Sequence, residues 1–446
     1  MGVERRVPDS SPGLIPWEVG RTPPACGCSF RERGGPLGRR SRRDRGVHSP
    51  VMRNSIAYER VNPETDLAPV TRLLIHAFAG TPEGLQEWLK LAGTENLRVV
   101  RSSPGAPPDA CLLRIEMGQY FGGRSVRMLG IAGVAVGPEA RGRGLARSMM
   151  SRAVQEAAAD GFALSALYPS TQSLYRQTGY EQAGHRLLVH VPLAAIDVRE
   201  RGGAIQVLGE NDWDEVKAAY RAYAPRFNGM LDRGPYIWSR IPKSRDVVYN
   251  GFAVRGPGGA IDGYLFMNQK RRPDARQEIT LSDFAFSTPE AGRRLLGFLA
   301  DFSTMGDEVI FPAGPSHPAL MLLAQQKYRM EFNYYWMLRI VDVRQAFEQR
   351  GYAPGISAEL HLDIVDDLIP ANTGRLVVRV HEGRAAVEPG GRGDLKADIR
   401  GLAPLYTGHL SAIGLAVAGL ASGPEAVLRT ADSVFGAGTP WMTDFF

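Results

Sequence analysis

The hydrophobic pattern from residue 56 onward predicts alternating helices and strands. Residues 66–78 and 145–159 carry apolar side chains three or four positions apart, which is the spacing of one buried helix face. Residues 128–136 are apolar throughout, as is typical of a strand buried on both faces. Three shorter apolar runs complete the strand candidates, at residues 97–101, 111–117 and 163–168. This order predicts an α/β domain over residues 52–198.

A second unit, over residues 199–345, shares a local pattern with the first. The tripeptide Pro-Glu-Ala occurs at residues 138–140 and again, one domain length later, at residues 289–291. Both copies follow a strand-like run and precede a helix-like run, which spans residues 293–302 in the second unit. A repeat at this spacing, in the same structural context, indicates an internal duplication.

The last segment, residues 352–446, begins with strand candidates and ends with helix candidates. The strand candidates are residues 360–365, 375–380 and 385–390, and the helix candidates are residues 402–420 and 424–435. Strands followed by helices predict a small α+β domain in which the helices cover one face of the sheet.

The composition fits a chain with several buried cores and excludes several protein classes. The 446 residues are 44% hydrophobic and 22% charged, as in a series of globular domains of about 150 residues each. Three cysteines are too few to staple the chain, and their odd number favours a reducing compartment, so we expect a cytoplasmic protein. The longest small and apolar stretch, residues 411–421, falls short of the roughly 20 residues that span a bilayer, so no membrane association is expected. The histidines form no ligand cluster, and no metal site is predicted.

The net charge of +6 comes mainly from the first 51 residues. This segment holds twice as many arginines as acidic residues, whereas the remainder of the chain is close to neutral. It is rich in Arg and Pro and lacks helical or strand periodicity, so we predict that residues 1–51 form a disordered extension. The extension could bind nucleic acid, but the favoured interpretation is an upstream addition to a chain that begins at Met52, and no nucleic-acid partner is expected.

A glycine-rich turn between the predicted strand at 128–136 and the predicted helix at 145–159 carries the strongest chemical signal. Its residues are Arg141, Gly142, Arg143, Gly144, Leu145, Ala146 and Arg147. The start of a helix presents free N–H groups and the positive end of the dipole, which attract phosphate. The two glycines let the backbone approach the ligand, and the three arginines add positive charge. Because the dinucleotide and P-loop patterns are both absent, the turn predicts another diphosphate-bearing ligand.

Residues 141–146 resemble R/Q-x-x-G-x-G/A, the acyl-CoA diphosphate loop of the GNAT superfamily of N-acetyltransferases. The run from Tyr175 to Tyr180, with Gly179 between them, resembles the Y-x-x-x-G-[FY] element that ends the domain in this superfamily. From Met52 onward the chain is similar to the enhanced intracellular survival protein (Eis-like) branch. The resemblance implies two tandem GNAT-like domains, the first active and the second degenerate, followed by a sterol-carrier-protein-like α+β domain.

The same resemblance implies that acetyl-CoA is the co-substrate and that it binds once per chain. Leu295 stands in the second copy where the first has Gly144, which implies that the second copy has lost its CoA site. Strand-edge backbone groups for the pantetheine arm would come from Val134, Ala135 and Val136. The residues implied at the diphosphate are Arg141, Gly142, Arg143, Gly144, Leu145, Ala146 and Arg147, with Ser170 and Thr171 on the far side of the cofactor.

The reaction implied is direct transfer of the acetyl group to a primary amine, without a covalent enzyme intermediate. Tyr175 would be the general acid that protonates the leaving thiolate, and the α-carboxylate of Phe446 would be the general base. A free α-carboxyl has a pKa of about 3.3 to 3.7, so it needs burial or a bridging water to act as a base. From the residues alone, the apolar end of the chain predicts a hydrophobic plug that anchors the last domain.

Aminoglycoside, polyamine and lysine-like acceptors all fit the implied activity. Trp88 resembles a pocket-wall aromatic residue of the family, with core packing as the alternative, and Asp444 is a candidate for attracting a cationic acceptor. Phe445 stands where a member of the family has an acidic residue immediately before its terminal Phe, which weakens the case for multiply cationic acceptors. The resemblance also implies a homo-oligomer, with a hexamer as one form. The alternative from another functional class is a noncatalytic CoA-binding regulatory protein.

Overall fold

A computed structural model describes residues 57–198, 202–436 and 438–446 of the chain. The extension predicted at residues 1–51 lies outside this part. No helix among the described residues is long and apolar enough to cross a bilayer. The described strands form one large sheet that the first two domains share, a short two-stranded sheet, and a five-stranded sheet in the last domain.

The first domain contains six strands and four helices within the described residues. The strands are β1 (Ala57–Arg60), β2 (Leu97–Arg101), β3 (Ala110–Phe121), β4 (Arg124–Val136), β5 (Leu164–Leu167) and β6 (Glu181–Pro192). The helices are α1 (Pro63–Phe78), α2 (Pro82–Ala92), α3 (Leu145–Ala159) and α4 (Gln172–Arg176). The strand predicted at 97–101 and the helix predicted at 145–159 have the expected bounds. The predicted strand at 111–117 is longer, because Gly122 and Gly123, both with positive φ, form a tight turn that keeps β3 and β4 paired up to Phe121.

The second domain contains nine strands and three helices within the described residues. The strands are β7 (Ile205–Val207), β8 (Leu231–Asp232), β9 (Lys243–Ser244), β10 (Val247–Val248), β11 (Asn250–Arg255), β12 (Ile261–Arg271), β13 (Gln277–Phe286), β14 (Gly306–Ala313) and β15 (Arg329–Ile340). The helices are α5 (Trp213–Tyr223), α6 (Pro235–Ser239) and α7 (Pro289–Ala300). The helix predicted at 293–302 was therefore placed about one turn too late. Thr288 caps α7 and Pro289 occupies the first helical position, where the missing N–H has no cost.

The first two domains exchange strands at the centre of their shared sheet. The order is β1-β2-β3-β4-β5-β15-β6-β14-β13-β12-β11-β7, and β8 pairs with β3. The second domain's β15 thus lies between β5 and β6, while β6 of the first domain pairs with β14 of the second. Each domain keeps one parallel pair, β4 with β5 and β13 with β14. This matching arrangement agrees with the duplication that the sequence indicated.

The last domain has strands β16 (Ala358–Val365), β17 (Gly374–His381), β18 (Arg384–Pro389), β19 (Leu395–Asp398) and β20 (Ala421–Ser422). Its helices are α8 (Val343–Gln349), α9 (Ile399–Thr407), α10 (Ala412–Val417) and α11 (Glu425–Phe435). The helix predicted at 402–420 is two helices. Gly408, with a φ of 77°, ends α9 in the left-handed conformation, and Ser411 caps the start of α10.

Ion pairs with buried carboxylates hold the last domain on the exchanged strands. Arg339 of β15 lies 2.7 Å from Asp366, and their side chains are 0% and 1% exposed. At the start of α9, Arg400 lies 2.6 Å from Glu181, the first residue of β6. Because a buried charge is stable only when paired, these contacts fix the last domain against β6 and β15. The end of the chain therefore returns to the first domain along a defined path.

Candidate active site

A crevice opens between β4 and β5 in the first domain. These parallel strands pair over only three residues each, 128–130 with 164–166. Beyond Gly130, β4 continues to Val136 whereas β5 ends at Leu167. No described strand pairs with this side of β4 after Gly130, so its backbone edge faces the crevice. The predicted pantetheine-binding residues, 134–136, lie along that edge.

A β-bulge in the pairing of β4 with β3 shapes the same stretch of β4. Cys111 pairs with Ala135, whereas Leu113 pairs with Ala132, so β4 contains one extra residue at this point. Gly133, inside the bulge, has a φ of 58°, and a Cβ there would lie 2.7 Å from Cη2 of Trp88. The indole of Trp88 therefore packs directly on the backbone of the bulge. Only glycine at position 133 allows this approach, because a Cβ would collide with the indole. This location fits the predicted pocket wall.

The glycine-rich loop before α3 has the backbone geometry of an anion site. Gly142 and Gly144 have φ values of 77° and 75°, and a Cβ at either position would meet no atom within 4 Å. No described side chain caps the start of α3, and its first turn contains the exposed Arg147 and no acidic residue. The exposed residues 142–144, together with Leu145 and Ala146 at the helix start, leave backbone N–H groups facing open space, whereas the N–H of Arg141 donates to the carbonyl of Pro138. These features fit a diphosphate group.

The corresponding position in the second domain is closed. Only two residues separate β13 from α7, so there is no loop equivalent to residues 137–144. The Oγ1 atom of Thr288 accepts a hydrogen bond of 3.2 Å from the backbone N–H of Ala291, and Glu290 adds negative charge to the first turn. Leu295 is fully buried. Because this helix start is already capped and carries a negative charge, it does not favour anion binding. This supports one CoA site per chain.

Tyr175, the predicted general acid, is buried on the side of the sheet that α3 covers. It is 4% exposed and belongs to the same apolar cluster as Val134 and Val136. Burial raises the pKa of its phenol, and a hydrogen bond to Ser170 opposes this effect in part. Its carbonyl oxygen accepts a bond of 3.2 Å from the backbone N–H of Tyr180, which fixes the turn after α4. A phenol with a raised pKa keeps its proton at neutral pH, as a general acid must.

The C-terminal residues, 440–446, run beside β6 toward the crevice. His185 of β6 donates its backbone N–H to the carbonyl of Pro440 and accepts a bond from the N–H of Met442, both at 3.1 Å. Between these two contacts, Trp441 is 1% exposed and packs directly on the backbone of Gly314, where a Cβ would collide with its indole. This combination of strand-like pairing and a buried tryptophan anchors the tail on the exchanged strands.

Phe446 ends the chain at the crevice. A Cβ on Gly130, the last residue at which β4 pairs with β5, would lie 2.9 Å from Cε2 of Phe446. The ring of Phe446 meets that of Tyr168 edge-on at 5.6 Å, and the Tyr168 hydroxyl donates a bond of 2.6 Å to the carbonyl of Asp444. The ring is therefore a buried anchor, as the plug interpretation requires. It also holds the terminal residue, with its α-carboxylate, where the two strands separate.

Asp444 is buried in an ion-pair network instead of facing an open pocket. Arg233, whose side chain is 0% exposed, lies 3.0 Å from Asp444 and 2.6 Å from Asp283. Tyr264 donates a further bond of 2.8 Å to Asp283. Burial raises the pKa of Asp444, although Arg233 acts in the opposite direction. The network fixes the tail, and the predicted contact between Asp444 and the acceptor stays a prediction.

Three residues near the site were missed by the sequence analysis. Tyr168 directly follows β5, Arg233 follows β8, and Tyr236 of α6 accepts a bond of 2.6 Å from Nε1 of Trp88. Their partners are 50 or more residues away along the chain, so no local pattern marks them. Ser170 and Thr171, which the sequence did single out, are exposed just after β5.

Replacing Gly144 tests the diphosphate loop. We expect Gly144→Asp to weaken acetyl-CoA binding by about tenfold relative to Gly144→Asn, because the two side chains have the same shape and differ in charge. Both residues tolerate positive φ better than other side chains do, so the fold should survive in each. Isothermal titration with acetyl-CoA and a melting curve for each variant check this. Equal dissociation constants in the two variants would contradict a diphosphate at this loop.

Three protein-family models match the chain. An acetyltransferase (GNAT) domain model matches residues 58–183, and another acetyltransferase (GNAT) domain model matches residues 229–340. A sterol carrier protein domain model matches residues 343–443. Together they confirm the predicted fold class of two tandem GNAT domains followed by a sterol-carrier-protein-like domain.

Relatives of this architecture share most of the chain. The N-acetyltransferase Eis of Mycobacterium tuberculosis is 26% identical over 386 residues, which cover 82% of this chain and 92% of its own. An uncharacterised N-acetyltransferase of Streptomyces coelicolor is 29% identical over 407 residues, covering 84% of this chain and 95% of its own. The crystal structure of a GCN5-related N-acetyltransferase from Anabaena variabilis has a TM-score of 0.84 and 31% identity, covering 88% of this chain and 100% of that one.

Proposed function

This chain belongs to the GCN5-related N-acetyltransferases, as an Eis-like member, and on that basis we propose that it transfers the acetyl group of acetyl-CoA to a primary amine at the crevice between β4 and β5. Use of an acyl-CoA follows from the GNAT fold. The observation that carries the proposal is the open β4 edge after Gly130, beside the uncapped start of α3. Together they offer strand hydrogen bonds to an extended arm and N–H groups to a diphosphate at its end.

Two groups of this chain supply the proton transfers in the proposal. Tyr175 gives its phenolic proton to the sulfur as the carbon–sulfur bond breaks, and its raised pKa keeps that proton available. The α-carboxylate of Phe446 takes a proton from the attacking amine, directly or through one water molecule. The amine nitrogen bonds to the acetyl carbon while the thiol leaves, so the enzyme itself is never acetylated.

Amine-dependent release of free thiol tests the activity. Acetyl-CoA is incubated with the protein and a panel of amines, and the thiol is measured against controls without amine or without protein. We expect thiol release to require both the protein and an amine. Binding of acetyl-CoA without amine-dependent release, for every class of amine in the panel, would favour the noncatalytic alternative.

The pH dependence of the reaction follows from the two proton-transfer groups. A general acid is active in its protonated form, and the pKa of Tyr175 lies above the usual value of about 10 for tyrosine. We therefore expect kcat/KM to rise with pH as the acceptor loses its proton, with no loss of activity from Tyr175 until the solution is more alkaline than that value. Initial rates measured across the pH range check this. A fall in rate near neutral pH, with the protein still folded, would contradict Tyr175 as the acid.

A further inference from the structure

Aromatic rings surround the acceptor side of the crevice. Tyr168 has three aromatic neighbours, with ring centroids 4.6 Å away for Phe445, 5.6 Å for Phe446 and 5.7 Å for Tyr334. Tyr168, Tyr334 and Phe445 are half-buried, so part of each ring remains accessible. Across the crevice, the half-buried indole of Trp88 covers the β4 bulge. Such rings bury an apolar substrate body well, and they attract one ammonium group through their faces.

The acidic side chains near these rings already have cationic partners. Asp444 and Asp283 both pair with the fully buried guanidinium of Arg233. On α2, next to Trp88, the Glu87 carboxylate lies 2.8 Å from the ammonium nitrogen of Lys243. A substrate with several ammonium groups would have to break these pairs to find a carboxylate, and breaking the buried pair would leave an uncompensated charge.

Two arginines in the same region have no carboxylate partner. Arg186 donates to the carbonyl of Thr443 at 2.9 Å and to the side chain of Asn333, and its guanidinium lies over Phe445. Arg240 donates to the hydroxyl of Tyr236 at 2.9 Å. Among the described residues, neither guanidinium forms an ion pair. Burial lowers the pKa of Arg186, although Tyr168 and Asp444 act in the opposite direction.

We propose that the acceptor is a monoamine, a primary amine with an aromatic or aliphatic body and no second ammonium group. The inference rests on the proposed function and names the acceptor class of that same site. The accessible rings of Tyr168, Tyr334, Phe445 and Trp88 would bury the body. A second ammonium would meet the positive charges of Arg186 and Arg240, while the carboxylate side chains described above already have cationic partners.

A matched pair of substrates tests this on the full-length protein. Hexylamine and hexamethylenediamine have the same carbon chain and differ by one ammonium group. We expect kcat/KM for hexylamine to exceed that for hexamethylenediamine by about tenfold or more, and phenethylamine to behave as hexylamine does. Equal or better turnover of the diamine or of an aminoglycoside would overturn the inference and leave the proposed function intact. Absence of acetylation with every amine would overturn both.

Phe445 provides a test of the cause. We expect Phe445→Glu, which places a carboxylate beside Arg186 and so offsets its positive charge, to shift the monoamine-to-diamine ratio of kcat/KM toward the diamine by about tenfold. Phe332→Glu is the matched control, since Phe332 is an exposed phenylalanine of β15 whose ring contacts that of Tyr335. An unchanged ratio in Phe445→Glu, or the same shift in the control, would overturn the role of the ring cluster. The comparison of hexylamine with hexamethylenediamine in the wild-type protein needs no variant to fold.

Discussion

Addition of a single glycine after Phe446 is expected to lower kcat by about 100-fold and to leave the affinity for acetyl-CoA within about twofold. The added residue moves the terminal carboxylate by about 3.8 Å, one residue spacing, and puts a neutral peptide group in its place. The tail cannot shift to compensate, because Trp441 and Met442 are held on Asn228 and His185 by backbone hydrogen bonds. Steady-state kinetics and titration with acetyl-CoA measure the two quantities.

Phe446→Leu is the matched control for this extension. It keeps the α-carboxylate and a buried apolar side chain but loses the edge-on contact with Tyr168, so we expect a small loss of melting temperature and less than tenfold loss of kcat. Full activity of the extended, folded chain would rule out the terminal carboxylate as the base. The buried ring would then act only as the hydrophobic plug.

Tyr175→Phe is expected to lower kcat by about 100-fold or more, with little change in acetyl-CoA binding. The substitution removes the hydroxyl and preserves the ring, which is 4% exposed and packed in the cluster beneath α3. Since the hydroxyl acts only while the thiol leaves, its loss affects turnover and not binding of the ground state. Single-turnover kinetics with a tight-binding amine separate the chemical step from product release.

Tyr180→Phe serves as the control for the loss of a buried hydroxyl. Tyr180 is fully buried, its ring lies 6.3 Å from that of Tyr175, and its hydroxyl shares a hydrogen bond of 2.8 Å with Ser165. We expect it to cost about 1 kcal/mol of unfolding free energy and to change kcat much less than Tyr175→Phe does. Equal effects of the two variants on kcat would indicate that both tyrosines are structural, and small equal effects on rate and affinity would favour the noncatalytic alternative.

Local sequence patterns predicted the helices and strands whose bounds are set by neighbouring residues in the chain. The bounds of β2 and α3 follow from an apolar periodicity that stops at polar or glycine-containing turns. The loop at residues 141–147 is recognisable in the sequence by its glycines and arginines. The predicted start of α7, at residue 293, was wrong. The prediction began the helix after the Pro-Glu-Ala tripeptide, as in the first copy. In the second copy the tripeptide is itself the first turn of α7, because Thr288 caps the helix just before it.

The rest of the site depends on contacts between distant parts of the chain. No local sequence pattern predicts the insertion of β15 between β5 and β6, because the apolar pattern of a strand does not specify which strands pair with it. The burial of Asp444 depends on Arg233, more than 200 residues earlier. The aromatic neighbours of Tyr168 likewise come from β15 and the C-terminal tail. Sequence patterns therefore marked the strand and loop proposed for the acyl-CoA, whereas most contacts on the proposed acceptor side depend on the fold.

The most direct test of acetyl transfer to an amine at this crevice is a parallel measurement of released thiol and of acetylated amine by mass spectrometry, in one reaction with the native C-terminus. We expect one N-acetylated product for each thiol released, with both lost together in the glycine-extended chain. Thiol release without an acetylated amine, or equal product from the native and extended chains, would contradict it.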